Sequence, residues 1–199
     1  MSGIIKIIGA MVALIWLTLP VTADQHMMGK WTLSASESKV AFGSIKKDKV
    51  GEVHHFTKIS GGVSGDGKVS VAIDVASVET LADIRNERMA KWVFDAAHPM
   101  ATLDAKIDPH KLAKLKPGET TTLSINGTLT LNGKAVPVEA EMFVARISES
   151  KALITTDEMI MLSMSDAGID NGISKLMEIA KLPSITRVSP VTLRFVFTK

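Results

Sequence analysis

Residues 69–107 have the sequence VSVAIDVASVETLADIRNERMAKWVFDAAHPMATLDAKI. Apolar and polar residues alternate over residues 69–76, which predicts a half-buried antiparallel strand. Over residues 81–94 the apolar residues follow helical spacing among charged ones, which predicts a short amphipathic helix. His98-Pro99 ends that helix, since a residue before proline favours extended conformations, and alternation resumes at Ala101. We therefore expect two strands of one sheet, with a helix across an open end.

The remainder of the chain consists mainly of further alternating segments. Turns separate them, and Asp66-Gly67 and Asn132-Gly133 are typical of β-hairpins. Residues 171–181 have apolar residues at helical spacing and predict a second short helix. About eight to ten strands with two short helices predict a mainly β fold, an antiparallel barrel of about eight strands. A barrel of that size encloses either packed side chains or one small ligand.

Composition limits the classes of function. The 199 residues suit one domain, and the formal net charge of +2 comes from charges of mixed sign. We therefore expect no nucleic-acid partner. The absence of cysteine excludes disulfides, thiolate metal sites and a cysteine nucleophile. Lys46, Lys47 and Lys49 are interrupted by Asp48, and we interpret them as a solvated hairpin tip.

The amino terminus has the features of a secretory signal. Lys6 precedes an apolar run over residues 7–19, and Val21-Thr22-Ala23 provides the small residues of a cleavage site. A membrane anchor is the alternative, but the uncharged run is shorter than the ~20 residues that span a bilayer. We expect residues 1–23 to be a signal peptide and residues 24–199 to be one domain, exported to the periplasm or secreted.

Several segments occur in an order shared with a known family. They are residues 31–33 (WTL) with 38–42 (SKVAF), 71–80 (VAIDVASVET), 85–89 (RNERM), 94–95 (FD) with 98–99 (HP), 127–138 (GTLTLNGKAVPV) and 165–169 (SDAGI). Together they resemble the YceI-like family of secreted lipid-binding barrels. The resemblance implies a lipocalin-like barrel that holds a long amphiphile in an apolar tunnel. A polyisoprenoid, an isoprenoid quinone and a fatty-acid derivative are the expected ligand classes.

The chain departs from the family pattern at a few positions. Glu37 stands where a histidine is common, His54 where a glycine is common, and Ala167 where a phenylalanine is common. The helix predicted at residues 171–181 also looks like an insertion. These differences concern the identity of the ligand more than the fold.

The apolar residues of the predicted strands and helices are the candidates for the tunnel wall. Eleven methionines and no tyrosine suit a deformable lining, because the methionine side chain adapts to irregular apolar shapes. Packing of an ordinary core is the alternative for any single one of them. The predicted lining residues are Phe42, Phe56, Val71, Ile73, Val75, Ile84, Met89, Trp92, Phe94, Leu103, Leu129, Met142, Val144, Met159, Met161 and Phe195.

Polar residues at the tunnel entrance are expected to orient the head group of the lipid. From the resemblance, and from their position on the helix after the IDVAS strand, we select Asp83, Arg85, Asn86 and Arg88. Arg85 is the first choice. The alternative is that these side chains only solvate the outer face of the helix.

The histidines and carboxylates do not form a known catalytic or metal-binding motif. No metalloprotease, nucleophile-elbow or phosphate-loop motif is present. His54 and His55 are adjacent on a strand, so they point to opposite faces and cannot bind one metal ion. We expect no catalytic residue, no metal, and no cofactor apart from a bound isoprenoid or other long-chain lipid.

Three classes of function stay open at this point. We favour a carrier of a long-chain lipid, with exchange at a membrane surface and a homodimer as further expectations. An enzyme acting on an isoprenoid lipid would need an acid and a base inside the tunnel, and Asp74, Asp104 and Glu158 are its candidates. A stress-related interaction module without a ligand would have an interior filled with side chains.

Overall fold

The computed structural model describes residues 29–199, so the predicted signal peptide lies outside the described residues. Within this range the strands form one antiparallel sheet. They are β1 (Trp31–Leu33), β2 (Lys39–Lys46), β3 (Val50–Phe56), β4 (Ile59–Val63), β5 (Lys68–Asp74), β6 (Val78–Glu79), β7 (Met100–Lys106), β8 (Thr120–Leu131), β9 (Lys134–Ser148), β10 (Lys151–Thr156), β11 (Ile160–Ser163) and β12 (Val188–Thr198).

Three α-helices accompany the strands: α1 (Asp83–Trp92), α2 (Pro109–Ala113) and α3 (Asp170–Ala180). The prediction of two short helices covered α1 and α3 and did not include α2. The Asp108 carboxylate accepts a hydrogen bond from the backbone N–H of His110, and Pro109 occupies the first turn, so capping stabilises even this short helix. The helices of residues 29–199 include none with the length and hydropathy of a membrane-spanning segment.

Closure of the barrel depends on β12. One edge of β12 pairs with β10 and β11, and the other edge pairs with β1 and β2. The order around the ring is β1-β4-β5-β7-β8-β9-β10-β12, and pairing of β1 with β12 completes it. Strands β2, β3, β6 and β11 extend the sheet beyond this ring. The fold is therefore a closed eight-stranded antiparallel barrel with additional strands, as the alternating segments predicted.

The interior differs between the two ends of the barrel. At one end, Trp31, Leu33, Val144, Phe195 and Phe197 are each at most 6% exposed and fill the space between the strands. We call this the packed end. The other end is bounded by β2, β3, β11, α1 and α3, and it contains a cavity. We call this the hollow end.

The β8–β9 hairpin holds α1 in place across the hollow end. Asn132 and Gly133, the predicted hairpin turn, have φ values of +50° and +74°, as a type I′ turn requires. The Asn132 side chain accepts a hydrogen bond from the backbone N–H of Asp95 and donates one to the carbonyl of Val93, at 3.0 and 2.9 Å. The turn is therefore bonded to the segment that follows α1.

Helix α3 packs against the end of α1 through a glycine. A Cβ atom at Gly172 would lie 2.4 Å from the carbonyl oxygen of Trp92 and 2.6 Å from the Cα of Val93. Real Cβ atoms do not approach backbone that closely, so the two helices could not keep this spacing with a larger residue. Gly172 therefore sets the position of α3 over the cavity.

We expect Gly172→Ala to lower the free energy of unfolding by about 1–3 kcal/mol, because the added methyl group overpacks a backbone contact. Helix propensity alone predicts the opposite sign, a gain of about 1 kcal/mol. Urea denaturation measures the difference. Asn171→Ala, on an exposed position of the same helix, is the control and should change the value by less than about 0.5 kcal/mol. A stabilised Gly172→Ala variant would contradict the contact.

Candidate functional site

The hollow end contains an apolar cavity of about 370 Å³. This volume lies within the range of about 300–1,000 Å³ that is usual for small-molecule sites. Its apolar wall is formed by residues of eight strands, of α1 and α3, and of the segments beside these two helices. They are Val40, Phe42, Phe56, Ile73, Ala82, Ile84, Met89, Val93, Phe94, Ala101, Leu103, Leu129, Leu131, Val138, Ile160, Leu162, Met164, Ile169, Ile173, Leu176, Ala180, Leu182, Ile185, Val191 and Leu193.

Polarity increases along the inner face of the β2–β3 hairpin. Val40 and Phe42 on β2 pair with Phe56 and His54 on β3, and the next inward position on β2 is Ser44, opposite Glu52. Lys46 is the last inward residue of β2. Because alternate residues of a strand share a face, this hairpin presents apolar, then neutral polar, then charged side chains to one cavity. We call Ser44, Lys46, Glu52, His54, Arg85 and Arg88 the polar end of the cavity.

Glu52 is the centre of the ion pairs at the polar end. Its Oε1 atom lies 2.7 Å from Nζ of Lys46 and 3.0 Å from Nη1 of Arg85. Burial raises the pKa of the Glu52 carboxyl, but the hydrogen bond from Lys46 and the charge of Arg85 outweigh it, so the pKa lies below its ordinary value. The carboxylate is therefore ionised at neutral pH and joins α1 to the hairpin.

His54 lies between the ion pairs and the apolar wall. It is 3% exposed, and its ring contacts Phe42 edge-to-face with centroids 5.3 Å apart. Nε2 lies 3.4 Å from Oγ of Ser44, whereas no group of the described residues forms a hydrogen bond with Nδ1. Burial lowers the pKa of the imidazole, and the charge of Arg85 lowers it further. His54 is therefore neutral at pH 7, and its Nδ1 atom is buried without a hydrogen-bond partner among the described residues.

The structure brings half of the predicted lining residues to the cavity. They are Phe42, Phe56, Ile73, Ile84, Met89, Phe94, Leu103 and Leu129. Several of them, such as Leu103 and Leu129, are only partly buried although they point inward, because they border the cavity rather than other side chains. Contact of these residues with a lipid stays a prediction.

Four predicted lining residues belong to the packed end instead. Val71, Met142, Val144 and Phe195 are at most 6% exposed, and the cavity does not reach them. They face the interior as the alternation predicts, but aromatic and aliphatic neighbours fill the space around them. Val75, in a 3-10 turn, is buried outside the cavity as well.

Three further residues that were predicted to line the tunnel are exposed on the outside of the barrel instead. Met159 and Met161 are 63% and 62% exposed, because Ile160 and Leu162 occupy the inward positions of this segment. The two methionines line a groove on the outer surface between β9 and β11. Trp92 is 41% exposed at the end of α1, where Lys91 and Lys175 lie over its ring.

The four predicted head-group residues separate into two pairs. Arg85 and Arg88 line the cavity from neighbouring turns of one helix face. Asp83 is exposed at the start of α1. Asn86 has a structural contact, since its Oδ1 accepts hydrogen bonds from the backbone N–H and the hydroxyl of Thr80 at 2.8 and 2.6 Å. Asp83 and Asn86 therefore do not line the cavity.

Sequence reasoning missed the polar residues of the β2–β3 hairpin. Lys46 was assigned to a solvated hairpin tip, but its side chain lines the cavity and binds Glu52. The signal that would have found it is the strand phase, because Ser44 and Lys46 continue the inward positions of Val40 and Phe42. The charge of Lys46 concealed this phase.

The candidates for acid-base catalysis do not converge. Asp74, Asp104 and Glu158 all lie outside the cavity, and Glu52 is the one carboxylate among the described residues that line it. Within residues 29–199 no group of three or more His, Asp or Glu side chains is arranged to hold a metal ion.

Comparison with known proteins identifies the family of this chain. The family model of the YceI-like domain matches residues 31–197, which are nearly all of the described residues. The chain belongs to the YceI-like family. A polyisoprenoid-binding domain from Saccharophagus degradans, implicated in plant cell wall breakdown, is 30% identical to this YceI-like chain, with a TM-score of 0.83 over 84% of this chain and 97% of that one.

A second solved structure shows the same fold. BcnA from Burkholderia cenocepacia is 20% identical to this YceI-like chain, with a TM-score of 0.62 over 82% of this chain and 98% of that one. Comparison with curated protein sequences gave no significant match.

We expect the free energy of unfolding to decrease as the pH falls from about 7.5 to about 5.5, because unfolding releases His54 to its ordinary pKa of 6.5 and it then binds a proton. The folded state, in which the pKa of His54 is lowered, resists this protonation. The slope for one such group is at most about 1.4 kcal/mol per pH unit. Urea titrations across this pH range measure it.

His54→Phe is the matched variant, because phenylalanine keeps the ring contact with Phe42 and removes the titrating group. Its stability should change less with pH than that of the native protein. The carboxyls whose pKa values are lowered have ordinary values of 4.5 or less, so they titrate below this range. Equal slopes for the two proteins would contradict the burial of a neutral His54.

Proposed function

We propose that this protein binds a long-chain amphiphile, of the polyisoprenoid, isoprenoid quinone or fatty-acid class, and carries it in the periplasm or outside the cell. The observation that carries the proposal is the apolar cavity at the hollow end, whose polar groups are gathered on one side. An apolar wall accepts a hydrocarbon tail, and the polar end accepts a head group. The polyisoprenoid-binding neighbour, at 30% identity, supports the same ligand class.

The magnitude of apolar burial favours a long tail. Burial of one five-carbon isoprene unit contributes at most about 4 kcal/mol at ~0.8 kcal/mol per methylene, whereas association costs about 4–15 kcal/mol. One unit is therefore insufficient, and each further unit in the cavity increases the affinity. A site of this kind discriminates by the length of the tail.

The alternatives are less consistent with this cavity. A module without a ligand would gain nothing from a hollow apolar interior, because a cavity lowers stability. An enzyme would need an acid and a base in contact with the ligand, and the Glu52 carboxylate is held in ion pairs with Lys46 and Arg85. Binding without turnover is the function that these groups support best.

The cellular location is part of the proposal. The pattern at residues 1–23 supports export, and an exported carrier would take up its lipid and release it at a membrane surface. Amino-terminal sequencing of the protein from its native host tests this, since cleavage after Ala23 is the expected result.

We expect affinity to rise through geraniol, farnesol and geranylgeraniol, which share one head group and have two, three and four isoprene units. Each added unit that enters the cavity should tighten binding by about tenfold or more. Calorimetric titration of delipidated protein measures the three affinities, and native mass spectrometry of the untreated protein identifies any lipid that copurifies. Equal affinities for the three alcohols, or no binding, would contradict the proposal.

Two adjacent residues of β8 provide a matched pair of variants. Leu129 lines the cavity, whereas Thr128 is exposed on the outer face. Leu129→Trp fills part of the cavity, so it should weaken geranylgeraniol binding more than geraniol binding. Thr128→Trp should leave both affinities within about twofold of the native values. Circular dichroism shows whether each variant retains the barrel.

A further inference from the structure

We propose that the polar end of the cavity is a subsite for an anionic head group, a phosphate monoester or a carboxylate, with His54 and Arg88 as the residues that select it. The inference rests on the proposed function, since it assumes that an apolar tail occupies the remaining cavity. It adds the chemistry of the head group, which the apolar wall does not specify.

The charges around the cavity favour an anion. Among the described residues that line it, three cations, Lys46, Arg85 and Arg88, face one carboxylate, Glu52, which leaves a net charge of +2. Glu52 is already engaged by Lys46 and Arg85. Arg88 makes no salt bridge with any residue of the described range. No carboxylate of the described range therefore neutralises its charge.

His54 supplies a neutral hydrogen-bond donor at the boundary with the apolar wall. The Ser44 hydroxyl, 3.4 Å from Nε2, can donate to that nitrogen, and the proton of the neutral imidazole then resides on Nδ1. Nδ1 is buried and has no partner among the described residues. A buried donor without a partner is unfavourable, so a head-group oxygen that accepts from it recovers the lost hydrogen bond.

The spacing of these residues suits a compact head group. Glu52 and Phe56 flank His54 on the same face of β3, each about 7 Å away along the strand. An oxygen bonded to Nδ1 therefore lies where the apolar wall ends and the charges begin. The tail extends along Phe42 and Phe56, and the other oxygens of the head group extend toward the arginines. A neutral hydroxyl uses the His54 contact but gains little from Arg88.

Three lipids with one tail and different heads test the subsite. They are geranylgeraniol, geranylgeranoic acid and geranylgeranyl monophosphate, titrated into delipidated protein at pH 7. The two anions should bind about tenfold or more tightly than the alcohol, because charge-assisted hydrogen bonds are stronger than neutral ones. The order of the two anions distinguishes a phosphate site, which favours the dianion, from a carboxylate site.

The variants separate charge from hydrogen bonding. Arg88→Gln should weaken both anions by about tenfold and the alcohol by less than about twofold. His54→Phe keeps the ring volume and should weaken all three lipids by about fivefold, since each presents an oxygen to Nδ1. Lys91→Gln removes a cation from the same helix outside the cavity, and it should leave all three affinities within about twofold.

The outcomes distinguish this inference from the proposed function. If geranylgeraniol binds as tightly as the two anions, the protein is still a carrier but the anionic subsite is wrong. Equal losses for all three lipids in Arg88→Gln, or the same loss in Lys91→Gln, would also overturn it. If none of the lipids binds, the proposed function fails and the subsite fails with it.

Discussion

Pairing of β12 with strands on both of its edges is the constraint on which the barrel depends. β1 and β2 lie along one edge and β10 and β11 along the other, so the first and last strands of the described domain close one ring. A closed ring leaves no long exposed edge, and it forces alternate residues of every strand toward a common interior. Whatever fills that interior is therefore decided by the size of the inward side chains.

Those side chains fill one end of the interior and leave a cavity at the other. Large residues such as Trp31, Phe195 and Phe197 fill the packed end, where they contribute to the hydrophobic core. At the hollow end the strands are capped by α1 and α3, and the side chains border a cavity instead of one another. Gly172 sets how closely α3 approaches the end of α1, so it fixes the position of the helices that cover the cavity. One fold thus provides both a packed core and an apolar cavity.

The β2–β3 hairpin makes one end of the cavity polar and leaves the other end apolar. Apolar, neutral and charged residues follow one another along its inner face, so an amphiphile has one favourable orientation within it. The ion pairs of Glu52 have two roles, since they attach α1 to the hairpin and hold Arg85 beside the cavity. His54 is desolvated between these groups, which keeps it neutral and leaves its Nδ1 atom without a hydrogen-bond partner among the described residues.

Local patterns in the sequence predicted the barrel, most of its strands and the hairpin at Asn132-Gly133, because alternation and turn chemistry act over a few residues. Together with the family resemblance, they also placed Arg85 and Arg88 among the candidate head-group residues. Only the tertiary structure decided which inward residues border the cavity, since Val144 and Leu129 have the same alternation but different neighbours. It also brought Lys46, Glu52 and His54 to the cavity. Their meeting with α1 depends on packing between distant segments, which a local pattern does not contain.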